Sequence, residues 1–399
     1  MRAPMTFEDS AAWAQAQDLA DPLSPLRAEF HFPQQSPLYF AGHSLGLQPR
    51  RAREYVLEAL DDWARLGVEG HFAARNPWVA YHELLCASTA RIAGALPHEV
   101  VVMNTLSVNL HLMMASFYRP RRGKERLLIE KNAFPSDQYA AASQARFHGF
   151  PDAVLESEEP LRELSERDDI ALALIGSVNY LTGRAYDMPS LVRAAHAQDA
   201  FIGFDLAHGA GNLLLHLHDD GPDFAAWCSY KYLNGGPGGP GGVFVHERHA
   251  TALLPRFEGW WGHDKARRFE MASRFSPMPG AEGWQLSNPP ILQLAALRAS
   301  MELFDRATLP ALRRKGDQLT GYLEFLLRAR GVEVLTPPQR GSMLTVRFRR
   351  PGMVAELRRR GAAVDLRPPD IVRITPAPLY NSFEDVRRLC ASIGELQDG

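Results

Sequence analysis

Phe224-Ala225-Ala226-Trp227-Cys228-Ser229-Tyr230-Lys231-Tyr232 runs from five apolar positions straight towards a lysine, and Leu233-Asn234-Gly235-Gly236-Pro237-Gly238-Gly239 follows. A short run that is apolar throughout, bounded by turn residues, reads as a strand buried on both faces. The lysine then stands just past the strand's carboxyl end, where apolar flanks favour the neutral, nucleophilic amine. The glycines behind it let backbone or ligand approach closely. Upstream, Phe201-Ile202-Gly203-Phe204-Asp205 is a second such run, ending in a carboxylate with His208 just beyond. A strand-end Asp and a later strand-end Lys meet the needs of pyridoxal phosphate (PLP) chemistry. The amine carries the cofactor, and the carboxylate keeps its pyridine nitrogen protonated so that the ring accepts electrons. A bare Ser-x-Lys matches many chains by chance; the Asp, the His and the glycine run give it weight.

Working outward, apolar runs at 100–103, 126–129, 170–175, 201–205, 224–228 and 241–245 alternate with helical stretches. This pattern predicts an α/β fold, a mostly parallel sheet sandwiched by helices. In such sheets ligands bind outside the carboxyl ends of the strands, and Asn104, Phe134, Asp205 and Lys231 fall at or just after those ends. Helices are expected at 7–19, at 53–66 with Val56, Leu57, Leu60 and Trp63 at helical spacing, and at 81–95. Further helices at 292–303 and 309–328 precede a strand at 342–348, a helix at 353–360, a strand pair and a last helix at 383–396. The expected division is an N-terminal arm (1–38) joining the small domain, a large cofactor-binding domain (39–290) and a small α+β C-terminal domain (291–399).

Bulk properties exclude several classes. A hydrophobic share of 46% and a charged share of 23% are those of a globular protein, and 399 residues suffice for a large and a small domain. The formal net charge of −2 gives no field to attract nucleic acid or an anionic membrane. No run approaches a membrane span, and the N-terminal stretch has no signal-peptide core. Three widely spaced cysteines, Cys86, Cys228 and Cys390, form neither a disulfide framework nor a metal pattern, so reduced thiols in a cytoplasmic protein without metal are expected. The basic cluster Arg119-Pro120-Arg121-Arg122-Gly123-Lys124 reads as a solvated loop.

Several candidate residues follow from chemistry alone. Asn104-Thr105-Leu106-Ser107 before a helix offers N–H groups and hydroxyls for a phosphate, although an ordinary N-cap uses the same residues. Arg373, flanked by β-branched residues, needs an anionic partner if buried, either a ligand carboxylate or a structural ion pair.

The motif Trp227–Asn234, preceded by Gly203-Phe204-Asp205-Leu206-Ala207-His208, resembles the kynureninase family of fold type I PLP enzymes. So do Ser44-Leu45-Gly46-Leu47, Gly67-Val68-Glu69-Gly70-His71, Met103–Leu110, Ala133-Phe134-Pro135-Ser136-Asp137, Ser287-Asn288-Pro289-Pro290 and Pro378-Leu379-Tyr380-Asn381-Ser382, in the family's order. The resemblance implies hydrolytic Cβ–Cγ cleavage of L-kynurenine or 3-hydroxykynurenine to anthranilate or its 3-hydroxy form plus L-alanine, within tryptophan catabolism and NAD biosynthesis. It also implies a homodimer that shares its sites. By position, Leu106, Ser107, Tyr230 and Trp260 match phosphate contacts, and Phe134 matches the ring-stacking aromatic. Asp205 matches the partner of the pyridine nitrogen, and Asp137, His208 and Asn288 match residues near the cofactor. Lys231 is then the cofactor-bearing residue, Tyr230 a proton donor, and Arg373 the anchor of the substrate's α-carboxylate. His71, Ser287 and Asn288 match the aryl pocket. Two positions depart from the family: His43, where it usually reads Asn, and Gly176, where one member carries a hydroxyl. Within this fold, cysteine desulfurase and aminotransferase activities are the competing readings, with a non-catalytic homologue a third.

Overall fold

Seven strands form one sheet: β1 (Val100–Met103), β2 (Arg126–Glu130), β3 (Val154–Ser157), β4 (Ile170–Gly176), β5 (Phe201–Asp205), β6 (Phe224–Cys228) and β7 (Gly241–Val245), in the order β1-β7-β6-β5-β4-β2-β3. Only β7 runs against its neighbours; the other pairings are parallel. Alternate residues of each strand enter two separate apolar clusters. Leu128, Ala173, Ile175, Ile202, Phe204, Ala225 and Trp227 join one, and Leu127, Ile129, Leu172, Leu174, Phe224 and Ala226 join the other. That is the period of two expressed in a sheet buried on both sides, and it explains why the strands read as continuous apolar runs. Gly203 interrupts β5 because a Cβ there would lie 2.1 Å from the Phe224 ring.

The computed structural model describes residues 6–348 and 350–398. Residues 1–5 of the expected arm, and 349 and 399 of the expected small domain, lie outside the described residues. The helices that matter here are α1 (Ala11–Ala20), α2 (Arg50–Leu66), α3 (Leu106–Phe117), α4 (Pro135–Phe147), α5 (Ile291–Ala307), α6 (Leu309–Ala329) and α7 (Phe383–Asp398). Helices α3 and α4 cover one face of the sheet; α2 and α5 help cover the other. Placed by sequence in the small domain, α5 therefore belongs to the large core.

A second, antiparallel sheet combines β8 (Glu333–Val334), β9 (Leu344–Arg347), β10 (Asp365–Arg367) and β11 (Ile371–Ile374) in the order β8-β9-β11-β10. Its core gathers Leu319, Tyr322, Leu344, Ile374, Phe383 and Ile393 together with Ala14, Leu38 and Phe40 from the N-terminal segment. The arm is fixed by specific contacts. The Trp13 ring centre lies 4.7 Å from that of Tyr322, and the Asp18 carboxylate accepts the Phe383 and Glu384 N–H groups at 2.7 and 3.1 Å, capping α7.

Some elements differ from the sequence reading. The stretch expected as one helix over 81–95 is a 3₁₀ segment, Trp78–Leu85, followed by the helix Cys86–Ala93. Edge strand β3 was not expected, because Glu156 and Ser157 break its apolar run and only its last residue is buried. No helix among the described residues is long and apolar enough to cross a membrane.

Candidate active site

The carboxyl ends of β1, β2, β4, β5 and β6 converge on a cavity of about 210 Å³. Lys231 enters from the turn after β6, and its Nζ lies 3.2 Å from Nε2 of His208 and 5.7 Å from the centre of the Phe134 ring. Asn234, with φ of 50°, turns the chain beyond the lysine. The Phe134 ring also meets Tyr180 edge-on at 5.0 Å.

Three carboxyl groups gather under this lysine. Asp205, at the end of β5, is buried and accepts the Ala207 N–H at 2.6 Å. Asp137, on the first turn of α4, is also buried and shares a hydrogen bond with Asp205. Burial pushes both carboxyls up, Asp137 well above the usual range; Lys231 partly offsets this at Asp205. Burial thus disfavours two charges on this pair, which shares a proton more readily than two exposed carboxylates would. Glu130, at the end of β2, is pushed up to about 7 by burial, although its Oε2 accepts the Gly176 N–H at 3.0 Å. That contact explains the departure at Gly176: a Cβ there would sit 2.6 Å from Glu130 Oε1. Glu130 was missed by sequence reasoning, yet it carries the same signal as Asp205, a carboxylate closing an apolar strand.

The opposite wall is built for an anion. Thr105 is the N-cap of α3, but its side chain makes no cap hydrogen bond, which leaves its hydroxyl and the first-turn N–H groups of Leu106 and Ser107 available. Asn104 takes a left-handed φ of 47° to bring β1 into this turn. Tyr230 lines the same cavity, its phenol kept protonated by burial and the neighbouring Cys228 thiol. Burial, followed by Lys231, holds His208 well below its usual range, so its imidazole is neutral, and its buried Nδ1 has no partner among the described residues. These residues fit PLP: a phosphate cradle at a helix start, an aromatic face, buried carboxyls in need of a cation, and a lysine.

The remaining sequence candidates lie elsewhere. Ser287 and Asn288 line an adjoining cavity of about 290 Å³ that shares Thr105 with the first. His71 packs edge-on against Trp78 at 5.4 Å, and Trp260, 43% exposed, bonds the Arg268 carbonyl at 3.1 Å; neither lines the cavity of its own chain. Arg373 is buried on β11 and ion-paired with Asp365, while its Nη1 donates to the Tyr180 carbonyl at 2.9 Å. Sequence reasoning missed Asp365, whose partner is chosen by strand pairing. None of the three cysteines lines the cavity.

Residues 312–393 match the family model for the kynureninase C-terminal domain. A kynureninase of Myxococcus xanthus is 59% identical, over 98% of this chain and 99% of that protein. One from Koribacter versatilis is 51% identical over 97% of each. Among solved structures, a mutant of the cystine C–S lyase C-DES with glycine covalently linked to the PLP cofactor superposes with a TM-score of 0.80. It is 16% identical, over 92% of this chain and 99% of that one. An apo cysteine desulfurase from Thermococcus onnurineus gives 0.76 at 17% identity, over 94% and 98%. At these identities the structures speak for the fold alone.

The Glu130 carboxyl carries a pH signature. Its ordinary value of 4.5 rises to about 7 in the fold, so the unfolded chain releases the proton first. Its contribution is therefore fully present below pH 4.5 and falls as pH rises to about 7. Glu130→Gln keeps an acceptor for the Gly176 N–H without the charge. Urea or thermal unfolding from pH 4.5 to 8 should show the variant gaining on the parent up to pH 7, by on the order of 3 kcal/mol, then levelling. A difference that does not change with pH would contradict the assignment.

Proposed function

The chain belongs to the kynureninase family, PLP-dependent hydrolases of a carbon–carbon bond, and from that premise we propose which of its residues perform the reaction. It hydrolyses the Cβ–Cγ bond of a kynurenine to an aminobenzoate and L-alanine. Bound PLP supplies an electron sink for the bonds at the amino acid's Cα and Cβ. Lys231 anchors the cofactor and, once displaced by the substrate amine, carries the Cα proton on its Nζ. His208, neutral and within hydrogen-bond reach of that nitrogen, steadies the amine without repelling it. Asp205, hydrogen-bonded to Asp137, would hold the ring nitrogen of bound PLP in its charged form. Phe134 would cover the ring, while Leu106, Ser107 and Tyr230 would hold the phosphate. The Tyr230 phenol, protonated at neutral pH, donates to the departing carbon. Arg373 anchors the α-carboxylate. The single observation that carries this reading is the meeting of Lys231, Asp205 and Phe134 around one cavity whose far wall is the open start of α3.

We further propose a homodimer, in a cytoplasmic setting to which the three unpaired cysteines are suited. Val68, Phe72, Trp260, Phe269 and Met271 are exposed, from 43% to 75%, and the Phe72 and Phe269 rings lie 5.9 Å apart. This apolar patch flanks His71 and Trp260, so a second copy covering it would deliver both residues to its own cavity. The domain division is proposed with the arm on the small domain and α5 on the large one.

Desulfurase chemistry needs a cysteine over the cofactor, and the cysteines present are placed in β6, in α7 and at the start of the helix Cys86–Ala93. Lys231→Ala should lose the borohydride-bleached absorbance at the violet edge and reduce anthranilate formation by roughly 10²–10⁴-fold or more, in a folded protein. Retained turnover, or an adduct mapped to another lysine, would overturn the role.

Sedimentation at assay concentration should give a dimer, and Phe72→Asp should lower both dimer content and activity. A fully active monomer would contradict the shared site.

The aryl pocket is expected to prefer 3-hydroxykynurenine, because the imidazole of His71 and the amide of Asn288 offer partners for the extra hydroxyl. Leaving that hydroxyl unmatched costs roughly 1–3 kcal/mol. The ratio of kcat/KM for the two substrates, measured before and after Asn288→Thr with His71→Trp, checks this. A parent that favours kynurenine, or an unchanged ratio, would refute it.

A further inference from the structure

The Arg373 guanidinium has five N–H groups, and the structure accounts for three. Its Nε and Nη2 both bond a single oxygen, Oδ2, of Asp365 (Nε at 2.7 Å), and Nη1 bonds the Tyr180 carbonyl. The other two N–H groups, one on each Nη, have no hydrogen-bond partner among the described residues. Asp365 stands directly opposite Arg373 in the β10–β11 pair, so the two side chains share a face of the sheet. Arg367, two residues along β10 and thus on the same face, brings its Nε to 3.2 Å from the same Oδ2. Two guanidiniums and one carboxylate leave one positive charge, the complement of a single carboxylate.

His43 closes this cluster and is fully buried. Its Nε2 lies 3.4 Å from Asp365 Oδ2, and its Nδ1 lies 2.8 Å from the Thr375 hydroxyl. Burial brings the imidazole down to about 4, so it is neutral; the Nε2–H tautomer donates to Asp365 and accepts from Thr375. The loop bearing His43 is tied at both ends. Gly46 N–H bonds the Tyr230 carbonyl at 2.8 Å, and Ala41 bridges Thr375. The loop therefore joins the turn that carries Lys231 to the strand that carries Arg373.

We propose that Asp365, held by His43, is the positioning residue for Arg373 and through it selects substrates bearing a free α-carboxylate. The inference rests on the reading of Arg373 as the carboxylate anchor. Asp365 fixes the guanidinium's Nε edge and cancels the charge of one arginine, so the remaining donors meet the ligand in one orientation. A neutral partner at 365 would free the rotamer and leave Arg373 and Arg367 to repel each other.

PLP-loaded parent, Asp365→Asn, Asp365→Ala, His43→Asn and Arg373→Met are compared in turnover of L-kynurenine. Calorimetry on the same proteins measures binding of L-alanine and of ethylamine, which differ only in the carboxylate. In the Asp365 variants KM and the alanine Kd should rise roughly tenfold or more, kcat should fall less than KM rises, and ethylamine should stay within about twofold. His43→Asn should give the same pattern at smaller size. If Asp365→Ala fails to fold, Asp365→Asn, which keeps the shape, and His43→Asn carry the same comparison. Equal losses for alanine and ethylamine would mean a general structural role and overturn the proposal. So would unchanged alanine binding in the Asp365 variants while Arg373→Met loses it. An Arg373→Met protein that binds alanine like the parent would instead remove the anchor itself, and the inference with it.

Discussion

Asp205 is a carboxylate sealed at the end of a strand, and its hydrogen-bond partners among the described residues are the Ala207 N–H and the carboxyl of Asp137. An ionised carboxylate out of water is costly by several kcal/mol unless a cation meets it. The chain supplies half of an answer: burial pushes the Asp137 and Asp205 carboxyls up together, Glu130 is pushed up to about 7, and Lys231 lends charge from a distance. In the reading proposed above, a protonated ring nitrogen would supply the other half. The cofactor would then complete this electrostatic set, and the arrangement that stabilises its binding would make the ring electron-poor.

Around this centre the fold assigns one task to each wall. The parallel sheet delivers strand-end groups with little backbone freedom, so Asp205, Glu130 and Lys231 are placed by strand register. The open start of α3 gives anion-binding N–H groups that need no side-chain charge. The small sheet brings the arginine, and the loop at Ala41–Gly46 ties it to the lysine turn. Lys231 and Arg373, the proposed anchors of cofactor and substrate, therefore stand beside different apolar cores, and this loop forms a polar bridge between them.

Much of this was legible in the sequence, because burial on both faces writes itself as unbroken apolar runs. The strands at 100–103, 201–205, 224–228 and 241–245 lie where expected. Lys231, Asp205, Phe134 and His208 were found because each follows such a run. What stayed hidden depends on pairing rather than on local pattern. Strand β3 is an exposed edge. Glu130 meets Gly176 only because β2 neighbours β4, and Asp365 meets Arg373 only through the β10–β11 register. His71 and Trp260 matched the family motifs yet do not line the cavity.

The most direct test of this account is the protonation of the ring nitrogen, read by ¹⁵N NMR with nitrogen-labelled PLP bound to the parent and to Asp205→Asn. The parent should give a pyridinium signal that persists from pH 6 to about 9, well above the pH at which an unpaired pyridine nitrogen loses its proton, and the variant should give the neutral signal. A neutral nitrogen in the parent at pH 7, or the same pyridinium signal in both proteins, would contradict the claim that the buried carboxylate sets the charge of the cofactor.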